Sequence, residues 1–124
     1  MWKTLWAEGL ATYVSMVRNP PASMQNALIV PQDLVQRSTP LLPELAATLD
    51  PNLDRIDGKL FAKYFLYRGP EANPPSRVGY YIGALVAQRI AREHTLPEIA
   101  HLPPNRVRKE LGEQLLEIGR EKQR

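Results

Sequence analysis

The sequence predicts an all-α fold, a small orthogonal bundle of about five to seven helices, because apolar residues recur every three or four positions, the spacing of one helix face. No stretch alternates apolar and polar residues as a half-buried strand would. Twelve prolines cut the chain into short segments, and 124 residues with 44% hydrophobic content suit one domain with a modest core, assigned to residues 1–124.

The first helix is expected over residues 2–18, where Trp2, Leu5, Trp6, Leu10, Tyr13, Val14 and Val17 form one stripe. Asn19-Pro20-Pro21 ends it, because proline donates no hydrogen bond to a continuing helix. Between Ala22 and Asp50, Pro31, Pro40 and Pro43 allow two or three short helices, one capped by Thr39 with Pro40 in its first turn. Asp57 caps a helix with Leu60, Phe61, Tyr64 and Phe65 on one face, and Gly69-Pro70 supplies the exit. After the loop 71–76, the pattern Val78, Tyr81, Ile82, Leu85, Val86, Ile90 predicts a central helix over about residues 77–93. Residues 95–102 read as one short capped turn. Asn105 then caps a last helix carrying Val107, Leu111, Leu115 and Ile118.

Composition removes several classes of function. Without cysteine there is no disulfide framework, thiolate metal site or cysteine nucleophile, and a reducing cytoplasm is the expected compartment. The longest apolar run, Tyr80 to Ala87, is too short to span a bilayer, and Glu8 interrupts the apolar N-terminal stretch, so neither a membrane nor an export signal is expected. The net charge is +3, but in the segment from Arg106 to Arg124 the cations alternate with four glutamates, the pattern of a solvated, ion-paired face. With no aromatic-interleaved basic stripe, nucleic acid is not an expected partner; a third reading, polyanion binding by the last helix, would require strongly salt-dependent affinity.

Four residues are candidates for chemistry. Glu8 has Thr4, Leu5, Ala11, Thr12 and Ser15 as its helical neighbours, none charged, so its carboxylate stands on a face that another helix or a metal could approach. An ordinary half-exposed glutamate fits the same spacing. Arg77, Tyr80 and Tyr81 open the central helix after a proline loop, where a guanidinium and a tyrosine hydroxyl could hold an oxyanion or a peptide carboxylate, although structural tyrosines are commoner. Gly79, Gly83, Ala87 and Ala91 make one side of that helix nearly flat; each interior glycine costs about 1 kcal/mol against alanine, which points to close approach of a second helix. His94 and His101 read as surface residues. There is no HExxH, phosphate loop or nucleophile elbow.

The words Trp6-Ala-Glu-Gly-Leu-Ala-Thr-Tyr-Val-Ser15, Asn19-Pro20 and Arg77-Val-Gly-Tyr-Tyr-Ile-Gly83 resemble the downstream part of a domain-of-unknown-function family of predicted zinc-dependent proteases of the gluzincin type. The resemblance implies an upstream HExxH helix giving two histidine ligands and a general base, with Glu8 at the third-ligand position. It also implies a cleft-flanking helix on which Arg77, Tyr80 or Tyr81 meets a peptide or protein substrate. The full-length form would hydrolyse peptide bonds through a zinc-bound water. The sequence opens only seven residues before Glu8, so the expectation here is a partial domain that lacks the HExxH helix and is inactive alone, zinc being the cofactor of the full-length form only. A chain so shortened would leave the Glu8 face and the glycine face without the helix they receive, favouring self-association or a partner helix. The alternative is a non-catalytic helical interaction module whose small-residue faces dock a partner helix.

Overall fold

The computed structural model describes residues 1–20, 23–28 and 31–121. Among them are eight α-helices: α1 (Trp2–Arg18), α2 (Met24–Leu28), α3 (Leu34–Ser38), α4 (Leu42–Leu49), α5 (Gly58–Phe65), α6 (Val78–Ile90), α7 (Leu96–Ala100) and α8 (Pro104–Arg120). Five have eight residues or more, and α2, α3 and α7 are five-residue pieces. The bundle is all-α, with no strand among the described residues. None of these helices is long and apolar enough to cross a membrane.

α6 is the axis of the bundle. Nine of its thirteen residues are buried, because α1, α2, α3, α5 and α8 all pack on it. Its most extensive neighbour is α1; α8 packs chiefly on α4 and also reaches α6. The core joins Leu5 of α1, Leu45 and Leu49 of α4, Tyr64 and Phe65 of α5, Ile82, Val86 and Ile90 of α6, and Leu111, Leu115 and Ile118 of α8. These are the helical-period positions, so the apolar stripes set which faces meet.

Local signals explain most boundaries. The Asp57 carboxylate accepts from the backbone N–H groups of Lys59 (2.9 Å) and Leu60 (3.4 Å), satisfying two of the free donors that begin α5. Thr95 and Glu98 form a reciprocal capping box at α7. The last helix starts one residue before the expected cap: Pro104 takes the first helical position and Asn105 lies inside the first turn. Thr39 caps nothing. It follows α3, the chain continues through a 3-10 turn (Thr39–Leu41) into α4, and its hydroxyl donates to the Val35 carbonyl at 2.6 Å. α5 ends at Phe65 with Leu66 already extended, ahead of the expected Gly69 exit, and Phe61 stands 40% exposed rather than inside. Pro21, placed in the stop of the first helix, lies outside the described residues, as do Ala22, Lys122 and Arg124.

The two histidines differ from each other. His101 is exposed, but the His94 side chain is only 12% exposed. Its Nε2 lies 2.9 Å from Glu110 Oε1 on α8, and its Nδ1 lies 3.8 Å from Glu98 Oε2 on α7. Glu110 in turn accepts from Arg106 Nε at 2.9 Å. Opposite ring nitrogens meet different carboxylates, so the three groups clamp α7 to α8 and do not converge on one point where a metal could sit. The Glu110 hydrogen bond, aided by the charges of Glu110 and Glu98, raises the His94 pKa above 6.5 against the opposing effect of desolvation. A raised folded pKa means that the stabilisation is full below the unfolded value and is lost as pH rises through the folded one. The melting temperature is therefore expected to fall as pH climbs from about 6.5 through the raised folded pKa of His94. His94→Gln should flatten that slope; an equal slope in both proteins would refute the clamp.

Candidate functional site

The candidate site is built around the crossing of α1 and α6. A Cβ placed on Gly9 would lie 2.5 Å from the Cα of Gly83 and nearer still to the Gly83 carbonyl; one placed on Gly83 would press on the Leu5 carbonyl oxygen and lie 3.0 Å from the Gly9 Cα. The two backbones touch with nothing between them, which only paired glycines permit. The glycine face of α6 is thus filled from within the chain, by α1 at Gly83 and by Tyr64 and Phe65 of α5 at Gly79. This differs from the expectation that truncation would leave the face open.

Glu8 stands beside this crossing, next to the buried Gly9, and is itself half-buried. Its backbone carbonyl accepts from the Thr12 hydroxyl at 2.9 Å. Its carboxylate has no ion-pair or hydrogen-bond partner among the described residues. Tyr80 lies three residues before Gly83, one helical turn away on a neighbouring face. Its ring meets Phe65 edge-on, with centroids 5.2 Å apart, and the Arg77 guanidinium carbon lies 4.6 Å from its centroid. The tyrosine is thus held between an apolar ring and a cation. Its hydroxyl makes no hydrogen bond among the described residues.

Tyr81 is not brought to the same place. It is 6% exposed, and its hydroxyl lies 3.1 Å from Thr39 Oγ1, which ties α6 to the turn after α3. Of the two tyrosines, Tyr80 alone keeps an open hydroxyl, and Tyr81 is a core residue with a satisfied polar tip.

The loop before α6 sets Arg77. Ser76 is fully buried; its Oγ accepts from the Arg68 N–H and donates to the Gly69 carbonyl, each at 2.8 Å. The Arg68 guanidinium spans the same loop, donating to the Lys63 and Pro74 carbonyls. Arg77 enters α6 in the left-handed region at φ 64°, a conformation that costs a non-glycine residue about 1 kcal/mol or more and is held by the surrounding contacts. Sequence reasoning missed Gly9 and Ser76. Gly9 had a readable signal, a glycine inside a strong helix pattern opposite a second helix with its own glycines; Ser76 had none, since its partners come from loop closure.

Among the described residues no three histidine, aspartate or glutamate side chains are placed to hold a metal ion. Glu8, Tyr80 and Arg77 are single groups on a rigid two-helix frame and do not make a zinc site by themselves. The fold and this frame define a class, a helical bundle organised on a glycine-to-glycine crossing. No family model, curated protein or solved structure matches the chain.

Proposed function

We propose that the chain is the downstream helical part of a zinc-dependent peptidase domain, in which Glu8 supplies one metal ligand and Tyr80 with Arg77 faces the substrate carbonyl. The remaining ligands come from polypeptide outside these residues. The observation that carries the reading is the state of Glu8: a half-buried carboxylate with no cation paired to it among the described residues, on a helix face without charged neighbours, next to the Gly9–Gly83 backbone contact. A carboxylate placed so is partly desolvated, and its natural partner is a positive charge delivered from outside. The open Tyr80 hydroxyl, oriented by Phe65 and Arg77, supports the same reading, while Tyr81 is assigned to the core. This chain alone is inactive in the proposal, because a catalytic zinc needs three protein ligands.

The test is metal content, measured on protein isolated from its native source together with its intact mass. The expected result is one zinc per chain on a product heavier than 14.1 kDa, and a more than tenfold loss of zinc affinity in Glu8→Gln. Tyr80→Phe should keep the zinc and lower peptide hydrolysis. A zinc affinity indifferent to Glu8→Gln would remove Glu8 from the ligand set.

A second reading, a non-catalytic docking module, rests on a separate observation. Of the seven large apolar residues exposed among the described residues, four lie between Ile56 and Tyr67, around α5. A protein of 14.1 kDa without metal, whose partner binding is unaffected by Glu8→Gln, would favour this reading.

A further inference from the structure

Away from the α1–α6 crossing, the start of α1 and the loop leading into α5 enclose a cleft of about 530 Å³. The two walls are tied together where the Trp2 N–H donates to the Leu53 carbonyl at 2.9 Å. The apolar lining is half-buried Trp2, buried Leu53, Phe61 at 40% exposure and Ile56 at 102%. An isoleucine held fully in solvent at the lip of a cleft gains nothing from the fold, so its burial is available to a ligand.

The charges around the lining are unequal. Both acids are already neutralised: Asp54 accepts from Arg108 Nε and Nη2 at 2.9 and 3.1 Å, and Asp57 accepts from Arg55 at 2.7 Å while capping α5. Lys3 has no carboxylate partner among the described residues; its Nζ lies 5.8 Å from the Trp2 ring centroid, at the edge of the apolar lining. The cleft therefore offers an apolar wall and, among the described residues, two cations without a carboxylate partner, Lys3 and the Met1 ammonium, which donates to the Arg55 carbonyl at 2.7 Å, in a volume of the size that small-ligand sites occupy.

We propose that this cleft binds an anionic amphiphile, a free medium- or long-chain carboxylate whose chain lies against Trp2, Ile56 and Phe61 and whose head group meets Lys3. The apolar wall supplies the affinity and Lys3 supplies the preference for a negative head group. The site uses none of Glu8, Arg77 and Tyr80, and it holds for the chain with Met1 at its start.

The probe is decanoate, titrated into the Trp6→Phe protein so that Trp2 is the sole tryptophan and reports from the cleft wall. The expected result is a saturable change in Trp2 emission, with decanol about fivefold weaker, the scale of one partly exposed charge pair, and decyltrimethylammonium weaker still. Lys3→Glu should erase the preference for decanoate over decanol, and Phe61→Asp should weaken both by about tenfold or more. Neither side chain is part of the buried core, and unchanged melting curves would confirm that both variants fold. Equal affinity for the three head groups, or affinities unmoved by both substitutions, would overturn the proposal. So would binding to phosphatidylglycerol vesicles without binding of monomeric decanoate, because the surface would then be a membrane contact.

Discussion

A single methyl group on Gly9 is expected to destabilise the bundle by about 3 kcal/mol or more, at the upper end of what overpacking costs. Two effects oppose each other in Gly9→Ala. Alanine is the better helix former, worth up to about 1 kcal/mol in a helix interior. Against this, the new Cβ would lie 2.5 Å from the Gly83 Cα and closer still to its carbonyl group. A flexible side chain could rotate away, but the obstacle is backbone, so α1 must lift from α6 along their whole contact and loosen Leu5 in the core. The clash wins because it is shared by many packed residues, whereas the propensity gain is confined to one. Gly119→Ala is the control: its nearest neighbour would be 3.5 Å away, an ordinary contact, and stability should hold or rise by up to about 1 kcal/mol. Denaturant unfolding of both variants decides the matter. Gly9→Ala as stable as the parent would mean that the two helices are not in contact at this point.

The same crossing shows what the sequence could and could not reveal. The span 2–18 for α1 and the buried stripe of α6 follow from apolar spacing, a signal that resides in each helix alone. The flat face of α6 was also legible, but its occupant was not. The glycine that matches it, Gly9, sits within the helix that carries Glu8, and periodicity does not say which helices meet. The Asp57 and Thr95 caps were readable because both partners lie within three residues. Thr39 was misread because α3 runs on through a 3-10 turn into α4, so that its hydroxyl bonds back to Val35 and also meets Tyr81, forty-two residues away. The apparent surface histidine His94 was likewise decided by α7 and α8 folding back on it, a contact that local sequence does not encode. Tyr80 and Tyr81 are adjacent and chemically identical in the sequence. Only the bundle separates them, leaving one hydroxyl open and pairing the other.

Removing the Ser76 hydroxyl is expected to be the second most damaging change, at about 2–3 kcal/mol for Ser76→Ala, from the desolvation cost of unpaired groups. One oxygen both accepts from the Arg68 N–H and donates to the Gly69 carbonyl, and the side chain is fully buried. Alanine fills nearly the same space yet leaves a donor and an acceptor facing a methyl group, and neither can find a new partner without opening the loop. Thr48→Ala is the contrast, because that hydroxyl is exposed and bonds only its own helix; it should change stability by less than about 0.5 kcal/mol. The loop closed by Ser76 delivers Arg77 in its left-handed conformation onto the Tyr80 ring. Ser76→Ala should therefore also weaken the near-ultraviolet circular dichroism of the tyrosines at temperatures below the unfolding transition. A loss of stability with that signal intact would show that Ser76 supports the loop alone. Loss of both would show that a residue with no reactive partner of its own positions the one open tyrosine of the candidate site.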